Sequence, residues 1–380
     1  GGQSFTQTAN NFCRGLTVVP QDFNTMYHSA TGVGAQNGVY RSTDAGQSWT
    51  LLSGAVNGED VGRLDIGVSR DGARVYIGGQ KGNEIVIQRS DDAGANWNAP
   101  TATAIPNAND GAAGNALSYC ESQCDYGNVV SVNPFDPNDV WLGGVGLYRS
   151  TDGGSNFSRV GENNTPAAPG PGPLHVDHHV LLFHPTIPGR LYNGNDGGIY
   201  RSGDGGASWE SLSGTLATLQ HYHLSLHPTD PNVVFTGNQD NGTTRRTTSD
   251  TWTEVAGGDG GFSAVDHGNP QIVYASTTEL NILKSTNGGN SFFRAGFNFG
   301  NDPVQFIAPF VMDPLDARTL YAGTHRLWRT DNGGSSWAPI SAPLIETPRS
   351  SGLRALVSAP HSIRSTSASP TMPECRPRSR

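Results

Sequence analysis

One motif recurs seven times along the chain and constrains its fold more than any other feature. A complete copy joins an alternating apolar and polar run to a Ser-x-Asp-x-Gly turn and a closing aromatic residue, as in Gly-Val-Tyr-Arg-Ser-Thr-Asp-Ala-Gly-Gln-Ser-Trp. The fifth copy, Thr-Thr-Arg-Arg-Thr-Thr-Ser-Asp-Thr-Trp, is worn, and the last two have Asn in place of the Asp. The closing aromatics are Trp49, Trp97, Phe157, Trp209, Trp252, Phe292 and Trp337. Successive aromatics are separated by 40 to 60 residues, which is about the length of one four-stranded repeat. The spacing predicts seven copies of one structural unit.

Each repeat predicts four antiparallel strands. Two apolar runs precede every motif, as in Val-Leu-Leu-Phe and Arg-Leu-Tyr-Asn-Gly-Asn before the fourth copy. The motif adds a third strand, a tight turn and an outer strand. We expect the first strand of each unit to be innermost and buried on both faces. The fold class is therefore predicted to be all-β, a seven-bladed β-propeller of four-stranded antiparallel blades.

The domain organisation follows from where the repeats stop. Blades are expected from about residue 11 to 341, so residues 1–341 are assigned to the propeller. The segment 342–380 breaks the pattern and is rich in Ser, Pro and Arg. It is expected to be an irregular, disordered or aberrant tail.

Composition excludes several kinds of partner. The chain has 50 Gly and 24 Pro among 380 residues, with only 15% charged residues and a net charge of −9. Acidity argues against a nucleic-acid partner, and no apolar stretch is long enough for a membrane span. Cys120 and Cys124 are close enough in sequence for a local disulfide, with free thiols as the alternative. The chain begins without a start Met or signal peptide and is expected to be a mature, secreted monomer.

The repeated motif resembles the Asp box, or BNR repeat, of sialidases, family-74 glucanases and sortilin-type receptors. In those families the box is structural and lies on the edge opposite the ligand face, which the resemblance implies here too. The positions concerned are Asp44, Asp92, Asp152, Asp204, Asn287 and Asn332.

Polar clusters fall instead on the loops that enter inner strands and on the hairpins between second and third strands. Both kinds of loop are expected on one rim, spread over blades three to six. The rim positions are Asp125, Tyr126, His175, Asp177, His178, His179, Asp196, His221, Tyr222, Gln239, Asp240 and Asp259.

The order of these clusters resembles a group of secreted bacterial BNR proteins labelled glycosyl hydrolases or sialidase-like. Asn-Asp-Gly-Gly, Gln-Asp-Asn-Gly-Thr and Gly-Gly-Asp-Gly-Gly match that group letter for letter. The His-Val-Asp-His-His segment has Val176 and His178 where the group has Ala and Gln, and Asp125-Tyr126 is inverted or shifted. Because the label arises largely from the repeat itself, it implies little about activity.

Glycoside hydrolysis is one interpretation of the rim. It needs one protonated and one ionised carboxyl on either side of the bond. Asp177 and Asp240 are the preferred candidates, with Asp259 as a further carboxyl and His178 to tune protonation. The alternative for each Asp beside Gly or Asn is that it caps its own turn. Glycan contacts are expected from the ligand-binding set Asp125, Tyr126, His175, His179, Asp196, Gln239, His221 and Tyr222.

A metal site is a second interpretation. On a strand His175, Asp177 and His179 would share one side, which would suit zinc or calcium according to the converging atoms. No metal signature is matched, so no cofactor is expected to be required.

Non-catalytic binding of a peptide or glycan, as in sortilin-type receptors or lectins, is the third interpretation. A true sialidase is disfavoured, because its ligand face needs arginines that bind a carboxylate. Most arginines here precede Asp boxes, although Arg14 and Arg63 lie near inner strands. The family-74 glucanases also have a second propeller that this chain lacks.

Overall fold

The computed structural model of the protein describes residues 12–98, 119–121, 123–160, 174–216, 219–247, 251–295 and 299–344. They form two compact units, divided between residues 218 and 219. No α-helix occurs among the described residues, and three short 3-10 turns span Gly34–Gln36, Ser213–Thr215 and Thr278–Leu280. In the part of the chain described, no helix is long and apolar enough to cross a bilayer.

Unit one contains four antiparallel sheets that follow one another along the sequence. Blade one consists of β1 (Phe12–Val19), β2 (Asp22–Thr31), β3 (Gly38–Ser42) and β4 (Thr50–Leu51), and blade two of β5 (Val61–Val68), β6 (Val75–Lys81) and β7 (Glu84–Ser90). Blade three consists of β8 (Val129–Val132), β9 (Val140–Gly143), β10 (Leu147–Ser150) and β11 (Ser158–Arg159), and blade four of β12 (His178–Phe183), β13 (Leu191–Asn195), β14 (Gly198–Ser202) and β15 (Glu210–Ser211).

Unit two contains three further sheets of four strands each. Blade five consists of β16 (His221–Leu226), β17 (Val234–Asn238), β18 (Thr243–Arg246) and β19 (Trp252–Ala256), and blade six of β20 (Ser263–Val265), β21 (Val273–Ser276), β22 (Ile282–Ser285) and β23 (Phe293–Arg294). Blade seven consists of β24 (Phe310–Met312), β25 (Leu320–Gly323), β26 (Leu327–Thr330) and β27 (Ala338–Pro339).

The predicted fold class is confirmed, because the chain is all-β with seven successive antiparallel sheets of the kind that form propeller blades. Strands pair in sequence order within each sheet, from the first strand to the outermost one. Blade two differs from the expected four strands. Its outer strand is reduced, in the described residues, to one bridge between Arg89 and Asn98. The domain boundary at residue 341 stays a prediction, and residues 345–380 of the expected tail lie outside the described residues.

The core of each unit lies between adjacent blades. In unit one, apolar clusters join blade one to two, two to three and three to four. Trp141 of blade three is fully buried and stacks edge-on against Trp209 of blade four at a 6.5 Å centroid distance. In unit two, Tyr274 of blade six packs with Phe310 of blade seven. Within each unit, neighbouring blades thus bury apolar faces against each other.

The inner strands do not all meet the expectation of burial on two faces. β5 and β8 of unit one do, with most of their residues buried. β12 and β16 instead leave Leu182 59% exposed and Leu224 57% exposed. β12 buries only His178 and Leu181, and no residue of β16 is fully buried, which the continuous apolar sequence could not reveal.

Candidate functional site

The Ser-x-Asp-x-Gly turns hold their own carboxylates. In blade four, Asp204 accepts the Ser208 N–H at 2.9 Å and the Ser202 hydroxyl at 2.8 Å, and the Ser208 and Ser202 bonds hold the pKa of Asp204 down at about 2. The same contacts recur in the other five turns, with Asn in place of Asp in blades six and seven. The five turn residues are Asp44, Asp92, Asp152, Asn287 and Asn332. Since these side chains are satisfied within their turns, they are not available for chemistry.

A β-bulge marks the opposite end of the inner strand in several blades. In β12 the pairing skips from His178–Asn195 to Val180–Gly194, and in β16 from His221–Asn238 to His223–Gly237. The extra residue at the bulge is His179 in β12 and Tyr222 in β16. Bulges re-aim the side chain they carry, and both side chains face the hairpin between the second and third strands of their own blade.

Two residues of unit one converge on a single carboxylate. Asp196, on the β13–β14 hairpin, accepts the Tyr126 hydroxyl on Oδ2 at 2.7 Å and His179 Nε2 on Oδ1 at 2.8 Å. The Asp196 side chain is only 10% exposed. The Tyr126 and His179 rings meet edge to face with centroids 4.9 Å apart. Tyr126 is itself 45% exposed, so the network lies at the surface with its carboxylate shielded.

Asp177 is a second carboxyl beside this network. Burial, followed by the negative charge of Asp196, raises the pKa of Asp177 above its ordinary value. Its backbone φ is +61°, an uncommon conformation for a non-glycine residue that occurs at ligand sites as well as in turns. Its N–H donates to Val145 O at 3.3 Å. Unit one therefore holds one carboxyl with a raised pKa near a second carboxyl that accepts two hydrogen bonds.

His178 is placed differently from the sequence expectation of a catalytic group. It is fully buried, and its Nδ1 donates to Asn193 Oδ1 at 3.0 Å. Burial lowers the pKa of His178 to about 4, which keeps the imidazole neutral. Because His178 lies beneath the site, its position suits a side chain that supports the β12 bulge. It does not suit a side chain that contacts a ligand.

The structure does not bring His175, Asp177 and His179 together as metal ligands. β12 begins only at His178, so strand alternation does not apply to His175 and Asp177. His175 Nδ1 contacts the neighbouring Val176 O at 3.0 Å, while His179 pairs with Asp196. Among the residues that the structure describes, no group of three His, Cys, Asp or Glu side chains is arranged to hold a metal ion.

The loop before β8 supplies Tyr126 and is anchored from two sides. A buried disulfide joins Cys120 to Cys124, which settles the open question of their state. Arg63 Nη1 donates to Tyr126 O at 2.8 Å, and the Arg63 N–H donates to Asp125 Oδ1 at 3.3 Å. Blade two thus fixes the loop that carries the phenol to Asp196.

Unit two repeats this arrangement with other residues. His221 Nδ1 donates to Asn238 Oδ1 at 2.6 Å, and Tyr222 OH donates to Gln239 Oε1 at 2.7 Å. Tyr222 and Gln239 hold the positions that His179 and Asp196 hold in unit one. The blade-five contact is therefore neutral where the blade-four contact joins an imidazole to a carboxylate.

The two aspartates predicted as candidates in unit two are joined by one hydrogen bond. Asp259 Oδ1 accepts the Asp240 N–H at 3.0 Å. Asp240 has a φ of +58°. Burial and then the charges of Asp259 and Asp240 raise the pKa of Tyr222, so the phenol lies near both carboxyls. Asp177 and Asp240 lie in different units, and their pairing stays a prediction.

Glycines allow the two loops of unit two to interlock. A Cβ on Gly237 would lie 1.9 Å from Gly261 O, and one on Gly260 would lie 2.2 Å from Gly242 O. The Gln-Asp-Asn-Gly-Thr and Gly-Gly-Asp-Gly-Gly segments are thus in direct backbone contact, which explains their glycine content.

Sequence reasoning missed two arginines at bulges of unit one. Arg14 is the extra residue where β1 pairing skips from Cys13 to Gly15, and Arg63 lies in the irregular stretch of β5. The signal was a charged residue just inside an apolar inner-strand run. Without a known register, such a residue could not be distinguished from an ordinary exposed strand position.

Comparisons with known proteins find curated relatives that are similar in sequence and are named as xyloglucanases. No protein-family model matches the chain. A curated protein of Neosartorya fischeri named "Probable oligoxyloglucan-reducing end-specific xyloglucanase" is 27% identical over 223 residues. The match includes 56% of this chain and 25% of the relative. The chain thus spans about a quarter of the length of this relative.

Solved structures with a similar course of the chain include a GH74 xyloglucanase from Xanthomonas campestris. It shares 20% identity with a TM-score of 0.40, over 86% of this chain and 52% of its own. YCF48 from Cyanidioschyzon merolae shares 14% identity with a TM-score of 0.34, over 85% of this chain and 94% of its own.

Proposed function

We propose that the protein is a secreted, carbohydrate-active hydrolase that cleaves a glycosidic bond at the blade-four site. The observation that carries the proposal is the pair Asp177 and Asp196. One carboxyl has a raised pKa, and the other accepts hydrogen bonds on both oxygens. Glycosidases need such a pair, in which one carboxyl donates a proton while the other acts as a base or nucleophile.

In the proposed mechanism Asp177 protonates the glycosidic oxygen as the bond to the leaving sugar breaks. Asp196 acts as the base or nucleophile on the opposite side of the bond. Water supplies the hydroxyl that the sugar carbon gains and the proton that restores Asp177. Tyr126 and His179 hold Asp196 in position, and Tyr126 offers an exposed ring against which a sugar can stack. This pair differs from the sequence-based preference for Asp177 with Asp240.

The glucan xyloglucan is the first substrate to test, because the curated relative carries the name of a xyloglucanase. The buried Cys120–Cys124 disulfide supports the proposed secretion, since such bonds persist in oxidising compartments. A monomer that needs no metal remains the expectation.

The test compares hydrolysis of xyloglucan oligosaccharides by the wild type with that by Asp177→Asn and Asp196→Asn. Each change is expected to lower kcat by about 100- to 10,000-fold, the usual contribution of a positioned acid or base. Asp204→Asn is the matched control in the same blade, since Asn already occupies the equivalent turn position in blades six and seven. The wild-type rate should fall as pH rises through the raised pKa of Asp177, because deprotonation removes the proton donor.

Equal activity in all four proteins would refute the assignment of the pair. Glycan binding without turnover in the wild type would instead support a binding propeller, the second candidate function. One observation favours that alternative: Asp259 is tied to the Asp240 N–H within interlocked loops of unit two. Carboxyls held in this way suit recognition of ligand hydroxyls more than proton transfer.

A further inference from the structure

We infer that the ligand is a chain of sugar residues and not a single sugar, and that its extension binds in a cleft between blades one and two that reaches Asp125. The inference rests on the proposed function and adds the class of ligand and its direction across unit one. No residue of this cleft except Asp125 was identified from the sequence as part of a site.

The cleft is large and lies at the rim ends of the inner strands in unit one. Its volume is about 890 Å³, near the upper end of the range for sites that enclose a whole small ligand. The polar lining that matters to the argument consists of Arg14, Thr31, Asn37, Glu59 and Asp125. Such a volume suits several linked polar groups.

Arg14 is directed into the cleft by backbone geometry. It is the bulged residue of β1, so it has no partner in the β1–β2 register, and bulges commonly re-aim side chains at sites. Arg14 Nε donates to Thr31 Oγ1 at 3.3 Å. That bond orients a guanidinium that carries five N–H donors in all. His179 is presented to Asp196 by the same kind of bulge in blade four.

Two carboxylates also line the cleft, those of Glu59 and Asp125. Asp125 Oδ1 accepts the Arg63 N–H at 3.3 Å, which holds this side chain in place. One guanidinium and two carboxylates in the same lining offer donors and acceptors together, which matches vicinal hydroxyls that can both donate and accept.

The cleft and the proposed catalytic site share one loop, the segment that precedes β8. Asp125 lines the cleft, and Tyr126, the next residue, binds Asp196. Arg63 Nη1 holds both of their carbonyls, at 3.4 Å for Asp125 O and 2.8 Å for Tyr126 O. A ligand with one end at Asp196 would thus follow this loop from Tyr126 to Asp125 to reach the cleft.

The test measures the dissociation constant of the whole chain for a long and a short xyloglucan oligosaccharide by titration calorimetry. Arg14→Ala and Glu59→Gln are expected to weaken the long ligand about tenfold more than the short one, the loss expected for a hydrogen bond to a charged group. Arg70→Ala is the control, because this exposed arginine lies on the turn between β5 and β6 at the other end of the strand. It should leave the ratio of the two constants unchanged.

A second measurement uses the exposed thiol of Cys13 at the cleft. In a Cys375→Ser background, labelling of Cys13 with a bulky maleimide should weaken the binding of the long ligand. Added short ligand should protect Cys13 poorly from this labelling. The cleft assignment would be overturned if every modification changed the two dissociation constants equally or changed neither of them. Failure of the proposed function has a different signature, since the unmodified wild type would then bind the oligosaccharides without hydrolysing them, or bind neither. Preference for a peptide over both sugars would also overturn the inference.

Discussion

Asp65 provides a quantitative test of how the blades of unit one are joined. It lies on the inner strand β5, and its Oδ2 accepts the Val130 N–H of blade three at 2.7 Å. Burial raises the pKa of Asp65 to about 6, from an ordinary value of 3.8. A difference of about two pKa units corresponds to about 3 kcal/mol between the protonation states, which is an upper estimate for the native protein.

The sign of the effect follows from the raised pKa. The native state binds the proton more tightly than the unfolded chain, so the stabilisation is fully present below pH 3.8 and is lost as pH rises through about 6. Asp65→Asn retains an acceptor for the Val130 N–H but does not ionise. We expect the variant to gain up to about 3 kcal/mol relative to the wild type between pH 4 and pH 8.

The assay is urea unfolding of both proteins at several pH values, with the difference in unfolding free energy plotted against pH. Asp71→Asn is the control, because the Ser69 hydroxyl and the Ala73 N–H lower the pKa of Asp71 in an exposed turn. Its stabilisation is present above pH 3.8 and is lost as pH falls through the native value. A flat difference curve for Asp65→Asn, or one with the slope of the control, would refute the reasoning.

Two further changes test the backbone contacts that shape the sites. Gly237→Ala should lower the melting temperature by several degrees in calorimetry, because its methyl group would lie 1.9 Å from Gly261 O. Gly214→Ala, which meets nothing within 4 Å, should leave the melting temperature nearly unchanged, and equal shifts would contradict the close contact. Replacing Cys120 and Cys124 by Ser should cost roughly 2 kcal/mol of unfolding free energy in urea, as expected for a short closed loop. A reductant should then destabilise only the wild type.

The sequence predicted the blades because each repeat contains the full local information for one. The aromatic of each motif marks the outer strand, and Phe157, Trp209 and Trp337 are indeed buried against neighbours. Trp252 is 43% exposed, in agreement with the worn fifth motif. Burial of inner strands was harder to predict, because it depends on the neighbouring sheet and not on the strand itself.

The site was predicted in its parts but not in its pairings. Asp196 was expected to bind ligand or to cap its hairpin, whereas the structure makes it the acceptor for Tyr126 and His179. Two adjacent histidines on a strand should face opposite ways, and only the bulge at His179 changes which one reaches the rim. Arg14 was not identified as a site residue from the sequence for the same reason. A bulge adds one residue without a sequence signature of its own, so the register had to be known first.

The bulge also explains how one backbone arrangement can serve two purposes. Blades four and five place a ring-bearing residue, His179 or Tyr222, against a hairpin residue, Asp196 or Gln239. An imidazole with a carboxylate can hold and transfer a proton, whereas a phenol with an amide can only fix the direction of hydrogen bonds. Under the proposed function, the residue types favour proton transfer at blade four and ligand recognition at blade five. If so, exchanging the ionisable pair of blade four for a neutral one should abolish turnover and preserve binding.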